Sequence, residues 1–323
     1  TGGTGQFSAK GLRVGGPYTI EVDSNKFQDK TVKGVFLNLG ETFGLDVALE
    51  AAQDVEKIVV TASATNLSVM GEKGPSSNFN FEDIQNAPAI NRDITDIVRS
   101  DPRIFVDEAN NGVQCAGSSP RFNNLTLDGV QLNDSFGLNS NGYPTVRQPF
   151  SFDVIDQITV ELAPFDVQYG GFTACNFNAV SKSGTNELVG SAFIDYSSDS
   201  LKGDTIDGQK VETGNYTDKR YGVTLGMPLI KDTLFFFGSY EKLDGAELFN
   251  YSAVDSGRIS AEEVARVQQI SQDVYGYDAG GMPASAPVED EKLLLKLDWN
   301  INDDHRASFV SNYNDGFSLA QSD

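Results

Sequence analysis

Beyond residue 187 the chain alternates apolar and polar positions with a period of 2. Tyr221, Val223, Leu225, Met227 and Leu229 alternate with Gly222, Thr224, Gly226 and Pro228, and Leu293, Leu295, Leu297, Trp299 and Ile301 alternate with Leu294, Lys296, Asp298, Asn300 and Asn302. Successive side chains of a β-strand face opposite ways, so this period predicts strands at 188–198, 219–229, 233–242, 290–301 and 305–314. Their connections alternate in length. Ile230-Lys231-Asp232 and Asn302-Asp303-Asp304 are short, whereas Asp199 to Asp218 and Leu243 to Glu289 are long. Ser260 with Glu263 forms a capping box ahead of Val264, Val267 and Ile270, which places a helix inside the second long loop. Alternation serves a soluble sheet packed on a core as well as a barrel wall in lipid. The loop asymmetry favours the barrel, with Trp299, Tyr240 and Tyr313 near the ends of predicted strands as interfacial aromatics.

Earlier segments are shorter. Gly5 to Ala9, Gly15 to Val22, Lys33 to Leu39 and Leu45 to Leu49 read as strands, and Tyr18, Ile20 and Val22 give one of them an inward face. Their spacing fits part of a small β-sandwich. Val55 to Ala62 is a β-branched run ahead of a small, polar linker, Ser63 to Ser68. Such a strand is either an ordinary core strand or one that adds to another protein's sheet edge.

Residues 79–186 mix helix and strand. Phe81 to Ile84 reads as one helical turn, and Asn91 as the N-cap of a helix from Arg92 to Arg99 with Ile94, Ile97 and Val98 on one face, stopped at Asp101-Pro102. Strands follow at Arg103 to Val106 and at Leu125 to Leu127, where Asp128-Gly129 turns the chain into Val130 to Leu132. Ile155 to Glu161 and Phe177 to Ser183 are further strands, separated by the elbow Ala163-Pro164-Phe165 and by Gly170-Gly171. The stretches Asn110 to Pro120 and Asn133 to Gln148 are rich in Asn, Gly and Ser, the composition of binding loops.

Composition removes several functions. The 323 residues carry 24 Lys+Arg against 46 Asp+Glu, a net charge of -22 that repels nucleic acid. The single histidine, His305, and two cysteines leave no multi-histidine or four-cysteine metal site and no second histidine for a catalytic triad. Dinucleotide and phosphate-loop glycine motifs are absent. The 32 Gly, 21 Phe and 11 Tyr suit strands and turns, and no apolar run approaches the roughly 20 residues of a membrane helix. Asp303-Asp304 and Glu289-Asp290-Glu291 are too contiguous to converge on one ion. No catalytic residue, metal or cofactor is expected.

Several motifs, in order, carry a resemblance. GQFSAKGLRVGGPYTIEV is similar to the tail of a carboxypeptidase regulatory-like domain, and Val59-Val60-Thr61-Ala62 has the shape of a TonB box. Leu125-Thr126-Leu127-Asp128-Gly129-Val130 looks like the hairpin of a receptor plug, and IDQITVELAPFDVQYGG followed by NAVSKSGTN resembles the plug's end. Glu161-Leu162-Ala163-Pro164 departs from that pattern where an Arg-Gly-Pro is usual. Together these resemble the Oar-like TonB-dependent receptors of Gram-negative outer membranes.

The resemblance implies a mainly β chain: residues 1–52 as the later part of a regulatory-like β-sandwich, 53–70 as TonB-box segment and linker, 71–186 as an α+β plug, and 187–323 as the first antiparallel strands of a transmembrane β-barrel. Both ends read as cuts in a longer protein. Such a barrel has about 22 strands, and at five strands per roughly 130 residues it would need on the order of 550. Glu56, Lys57, Ile58, Val59, Val60, Thr61 and Ala62 become the segment that pairs with TonB in the periplasm. Cys115 and Cys175 fall in the plug, where a disulfide is expected over two free buried thiols. The expected partners are TonB, outer-membrane lipid and an extracellular ligand whose identity is unreadable. The function expected is ligand uptake through a plugged barrel in the outer membrane, with the N-terminal region in the periplasm. An outer-membrane adhesion or secretion barrel, or a soluble carbohydrate-binding β-sandwich protein, are the alternatives.

Overall fold

A computed structural model of the chain describes residues 6–24, 27–37, 43–49, 58–61, 75–89, 91–107, 112–162, 164, 170–203, 205–210, 216–248, 254, 257–281, 285–302 and 304–319. They divide into two units: Thr1–Pro144 with Phe152–Lys182, and Thr145–Ser151 with Ser183–Asp323.

The first unit opens with β1 (Gly15–Val22) and β2 (Lys30–Leu37), an antiparallel pair on whose far side β3 (Ile58–Thr61) runs parallel to β2. Tyr18, Ile20 and Val22 are half-buried and Thr19 and Glu21 exposed, as the alternation requires. Residues 6–10 and 43–49 belong to no strand. The alternation of 43–49 is nevertheless physical, since side chains 43, 45, 47 and 49 are half-buried while those between are exposed. Both edges of β2 are already taken by β1 and β3, so that stretch finds no ladder there.

A second sheet of this unit has the order β4-β9-β10-β7-β8, built from β4 (Ser76–Phe79), β7 (Asn124–Leu127), β8 (Val130–Gln131), β9 (Ile155–Leu162) and β10 (Cys175–Ser181). β10 pairs parallel with β7 and antiparallel with β9. Asp128 and Gly129, at φ 49° and 82°, make the tight turn between β7 and β8. Leu125, Leu127, Ile158, Val160, Phe177 and Ala179 are buried. The two-stranded ribbon β5 (Ile104–Asp107) and β6 (Gly112–Cys115) is separate. Helix α1 (Phe81–Asn86) starts at Asn80, whose side chain closes a capping box with Asp83. Helix α2 (Ile94–Val98) is shorter than the sequence pattern predicts, and its cap is Asp93, not Asn91. Arg92 sits at φ 51°, outside helical space, so no helical turn can include it. Asp93 accepts the Thr95 N–H at 2.9 Å, and the amide N–H of Asn91 donates instead to Asp96. Ile94, Ile97 and Val98 are buried.

The second unit is a meander of order β11-β14-β15-β16-β17, all antiparallel: β11 (Val189–Ser198), β14 (Thr217–Ile230), β15 (Leu234–Leu248), β16 (Ser285–Asn300) and β17 (Arg306–Ser318). A small ribbon, β12 (Thr205–Ile206) with β13 (Gln209–Lys210), lies in the first long connection. The second long connection holds α3 (Ala261–Tyr275), capped by Ser260 and Glu263 and closed by Gly276 at φ 62°. β14, β15, β16 and β17 outrun their sequence-predicted ends on the long-loop side, while β11 ends at Ser198 as predicted. Tyr240 and Tyr313 therefore lie within strands rather than at their tips, while Trp299 does sit beside the end of β16.

The faces of this sheet are inverted relative to a water-soluble one. Tyr221, Val223, Leu225, Leu293, Leu295, Leu297 and Trp299 are exposed, whereas Arg220, Thr224, Ser239, Glu241, Asp290, Lys292, Lys296 and Asp298 are buried, together with Phe235, Phe237, Leu243 and Leu294 on the same inner face. Apolar residues outward and polar residues inward is the pattern of a barrel wall in lipid. In register, Val223, Tyr240, Leu293 and Tyr313 form one outward row, and the next row, Tyr221, Lys242, Glu291 and Asp315, brings in charge. From Leu293 to Ile301 the apolar stretch is about 27 Å along the strand and about 20 Å across a bilayer at the usual tilt, close to the roughly 25 Å apolar band of such barrels.

Candidate functional site

Three regions of the fold carry side chains or backbone groups that packing alone does not require. The first is β3. Of the residues assigned from sequence to partner pairing, Ile58, Val59, Val60 and Thr61 form this strand, with Lys30 opposite Ile58, Thr31 opposite Val59, Val32 opposite Val60 and Lys33 opposite Thr61. Glu56, Lys57 and Ala62 lie outside the described residues. Among the described residues no strand pairs with the outer side of β3, which leaves a row of backbone donors and acceptors at a sheet edge.

The second region is the plug sheet and the connections at one end of it. Because β7 and β10 are parallel and β8 reverses, the connections 116–123 and 132–144 and residues 170–174 all lie at the end where β7 and β10 begin. Within the elbow Ala163-Pro164-Phe165, Ala163 and Phe165 lie outside the described residues. At the start of β10, Cys175 is joined by a disulfide to Cys115 of β6, their Cα atoms 5.9 Å apart. A row of amides crosses the strands beside it. Asn124 Nδ2 donates to Asn176 Oδ1 and Asn176 Nδ2 to Glu161 Oε2, each at 2.7 Å. Asn133 Nδ2 donates to Asn124 Oδ1 at 3.1 Å. The hydrogen bonds run from Asn133 through Asn124 and Asn176 to the half-buried Glu161 carboxylate, so the buried amides have partners.

The loop after β8 is fixed from within. Asp134 accepts the backbone N–H groups of Asn139 at 2.8 Å and Phe136 at 2.9 Å, which hold its carboxyl below the ordinary carboxylate range. Arg121 donates to the carbonyls of Leu138 and Asn139 at 3.2 Å each. Phe136 and Leu138 are consequently held out into solvent, 87% and 79% exposed. Two large apolar groups on a braced polar loop suit contact with a ligand. Tyr143, at the loop's end, is buried, and burial raises its hydroxyl far above the usual range.

The third region is the inner face of the meander. Glu241 of β15 takes Arg220 of β14 at 2.6 Å and Lys292 of β16 at 3.8 Å, and Lys292 also meets Asp290 at 3.0 Å. Asn314 of β17 donates to Asp290. Onto this face the chain lays Thr145–Ser151: the Ser151 hydroxyl donates to Glu241 at 2.5 Å, and Asn312 Nδ2 donates to the Pro149 carbonyl at 3.0 Å. Sequence reasoning missed this network, because its members are spread over four strands and each looks alone like a solvated charge. Among the described residues there is no cluster of His, Cys, Asp and Glu arranged for a metal ion.

Residues 68–174 match the model of the TonB-dependent receptor plug domain, and residues 180–254 that of an outer membrane beta barrel domain. The chain is 25% identical to the TonB-dependent transporter Oar of Myxococcus xanthus, an alignment that takes in 92% of this chain and 28% of that protein. Among solved structures it is similar to the siderophore receptor PirA of Acinetobacter baumannii, with 19% identity and a TM-score of 0.51 over 76% of this chain and 32% of that one. It is also similar to a mutant of the ferric enterobactin receptor of Pseudomonas aeruginosa, with 16% identity and a TM-score of 0.52 over 76% of this chain and 33% of the other. The structural likeness is one of fold. The chain spans about a third or less of the length of each of these proteins.

Proposed function

From the premise that this chain holds the plug domain of a TonB-dependent receptor and the opening strands of its bacterial outer-membrane barrel, we propose that it is the gated portion of a transporter that takes up an extracellular ligand. The observation that carries this reading is the inverted meander, with exposed leucines, tyrosine and tryptophan on one face and paired charges on the other, following in the chain directly from the plug sheet. A wall of that kind belongs between lipid and a polar lumen.

Glu56 to Ala62 is the segment that engages TonB in the periplasm, by strand pairing. The supporting geometry is that Ile58–Thr61 is already extended and at the edge of its sheet, so a partner strand can add to its outer side. Force on that strand would then loosen the plug while the barrel ladder stays intact. The ligand is received by external loops and by the braced plug loop bearing Phe136 and Leu138. The regulatory-like reading of residues 1–52 belongs to the same proposal, the sheet of β1 and β2 serving as a periplasmic platform for β3. The relatives are transporters and receptors.

Replacing Val59 or Val60 by Pro is the experiment. Proline removes a ladder donor, so uptake by cells carrying the variant is expected to fall to background while ligand binding to those cells is unchanged. Normal uptake by either variant would remove this segment from the mechanism.

A further inference from the structure

Pro75 is the first described residue after β3, and its carbonyl is held twice. It accepts the Leu162 N–H of β9 and Arg103 Nη1, each at 2.9 Å. Arg103 Nη2 donates to the Ser77 hydroxyl at 2.8 Å. The same guanidinium turns its Nε to Asp101 Oδ1 at 2.9 Å, and its Nη2 also meets the other Asp101 oxygen. Asp101 is 2% exposed and accepts the Arg103 backbone N–H as well. One side chain therefore grips two points at the leading end of β4, and its own orientation is set by a buried carboxylate.

The rest of β4 is weakly attached. It is an edge strand whose ladder to β9 runs from Ser76 opposite Glu161 to Phe79 opposite Ile158, with Thr159 donating to Asn78 at 2.7 Å. Arg103 has firmer backing. It immediately precedes β5, its carbonyl accepts the Ala116 N–H at 2.8 Å, and β5 pairs with β6, whose Cys115 is covalently joined to β10 in the middle of the plug sheet.

We infer that Arg103 is a mechanical clasp: it holds the leading end of β4 to the disulfide-anchored part of the plug and sets the force at which a pull on the segment 58–74 begins to peel the plug open. The inference rests on the uptake reading above and deepens it. Tension entering through residue 74 loads Pro75 and Ser77 before any later residue of β4, and these are the two residues Arg103 holds. The anchored side is braced by the pairing of β5 with β6, which the Cys115–Cys175 bond ties to β10. Arginine suits the role because its planar fork serves several acceptors at once, whereas a lysine ammonium is a single point.

The test pulls the intact receptor, reconstituted in a lipid bilayer, through a covalent handle placed before residue 58, so that neither TonB nor ligand is needed. Arg103→Met, which keeps the stem but not the donors, is expected to speed the first opening step at constant force on the order of tenfold or more. Arg103→Lys should fall between it and wild type, and Ser77→Ala should give a smaller acceleration. Later steps and the thermal midpoint of the barrel should not move. An unchanged first step in both Arg103→Met and Ser77→Ala, or a first step whose length increment begins beyond Phe79, overturns the clasp. A cysteine pair at Asn78 and Thr159 that bonds β4 to β9 should shorten the early step to the few residues before Asn78 until it is reduced, and a full-length early step that survives the cross-link also overturns the clasp. Uptake is scored separately in cells with and without TonB: TonB-independent uptake would sink the uptake reading while leaving the force result standing.

Discussion

Leu295 and Lys296, neighbours in β16, point to opposite faces of the sheet, and the leucine is the one left in the open, 39% exposed against 6% for the lysine. A water-soluble sheet would reverse them. The outward position belongs to lipid, so Leu295→Arg is expected to lower barrel stability by about 2 to 4 kcal/mol, the range for an Arg near the bilayer midplane. Urea unfolding of the receptor reconstituted in bilayers measures it, and an unchanged midpoint would place that face elsewhere.

Glu241 joins Arg220, Lys292 and Ser151 on the inner face. Truncating it removes the 2.6 Å partner of Arg220 and leaves Lys292 to Asp290, and Glu241→Ala is expected to cost about 1 to 3 kcal/mol. Removing a charge from a solvated face would cost almost nothing, so the same unfolding measurement separates the two cases.

Cys115 and Cys175 close a loop with a sequence separation of 60. In the chain-entropy account a bond closing that length stabilises the fold by about 4 kcal/mol. Replacing both by Ser, or reducing the wild type, is expected to lower plug stability by about 2 to 5 kcal/mol, read from the denaturant midpoint of an oxidised and a reduced sample.

Asp101 has a pH signature. The Arg103 side-chain bonds, working against burial, hold its carboxyl at about 2, down from 3.8. A carboxyl depressed on folding contributes stability that is fully present above its unfolded value and is lost as pH falls through its folded one. The window is therefore pH 4 down to 2, and the contribution about 2 kcal/mol. The stability gap between wild type and Asp101→Asn should be constant above pH 4 and close toward pH 2, and a gap unchanged at pH 2 would contradict the pairing.

The parts of the fold legible in advance are those with a local cause. The meander strands follow from period 2, the helix in the second long loop from Ser260 and Glu263, and the β7–β8 turn from Asp128-Gly129. The cap of α2 was misplaced because Asn91 and Asp93 are both good caps, and only the backbone turn at Arg92 chooses between them. The Glu241 network and the Arg103 clasp were invisible for another reason. Glu241 finds Ser151 from 90 positions away, and Arg103 finds Pro75 from 28. No sequence window holds both ends of such contacts.

By itself the sequence determined that residues beyond 187 form strands with two unlike faces, joined by alternately short and long connections, behind a segment with the motifs of a plug. It did not determine which face is outside. Alternation is a property of the backbone pleat and is the same in water and in lipid, whereas sidedness depends on what covers each face, a long-range matter. The tertiary structure decided it by burying Arg220, Glu241, Lys292 and Lys296 and leaving Leu293, Leu295 and Leu297 exposed.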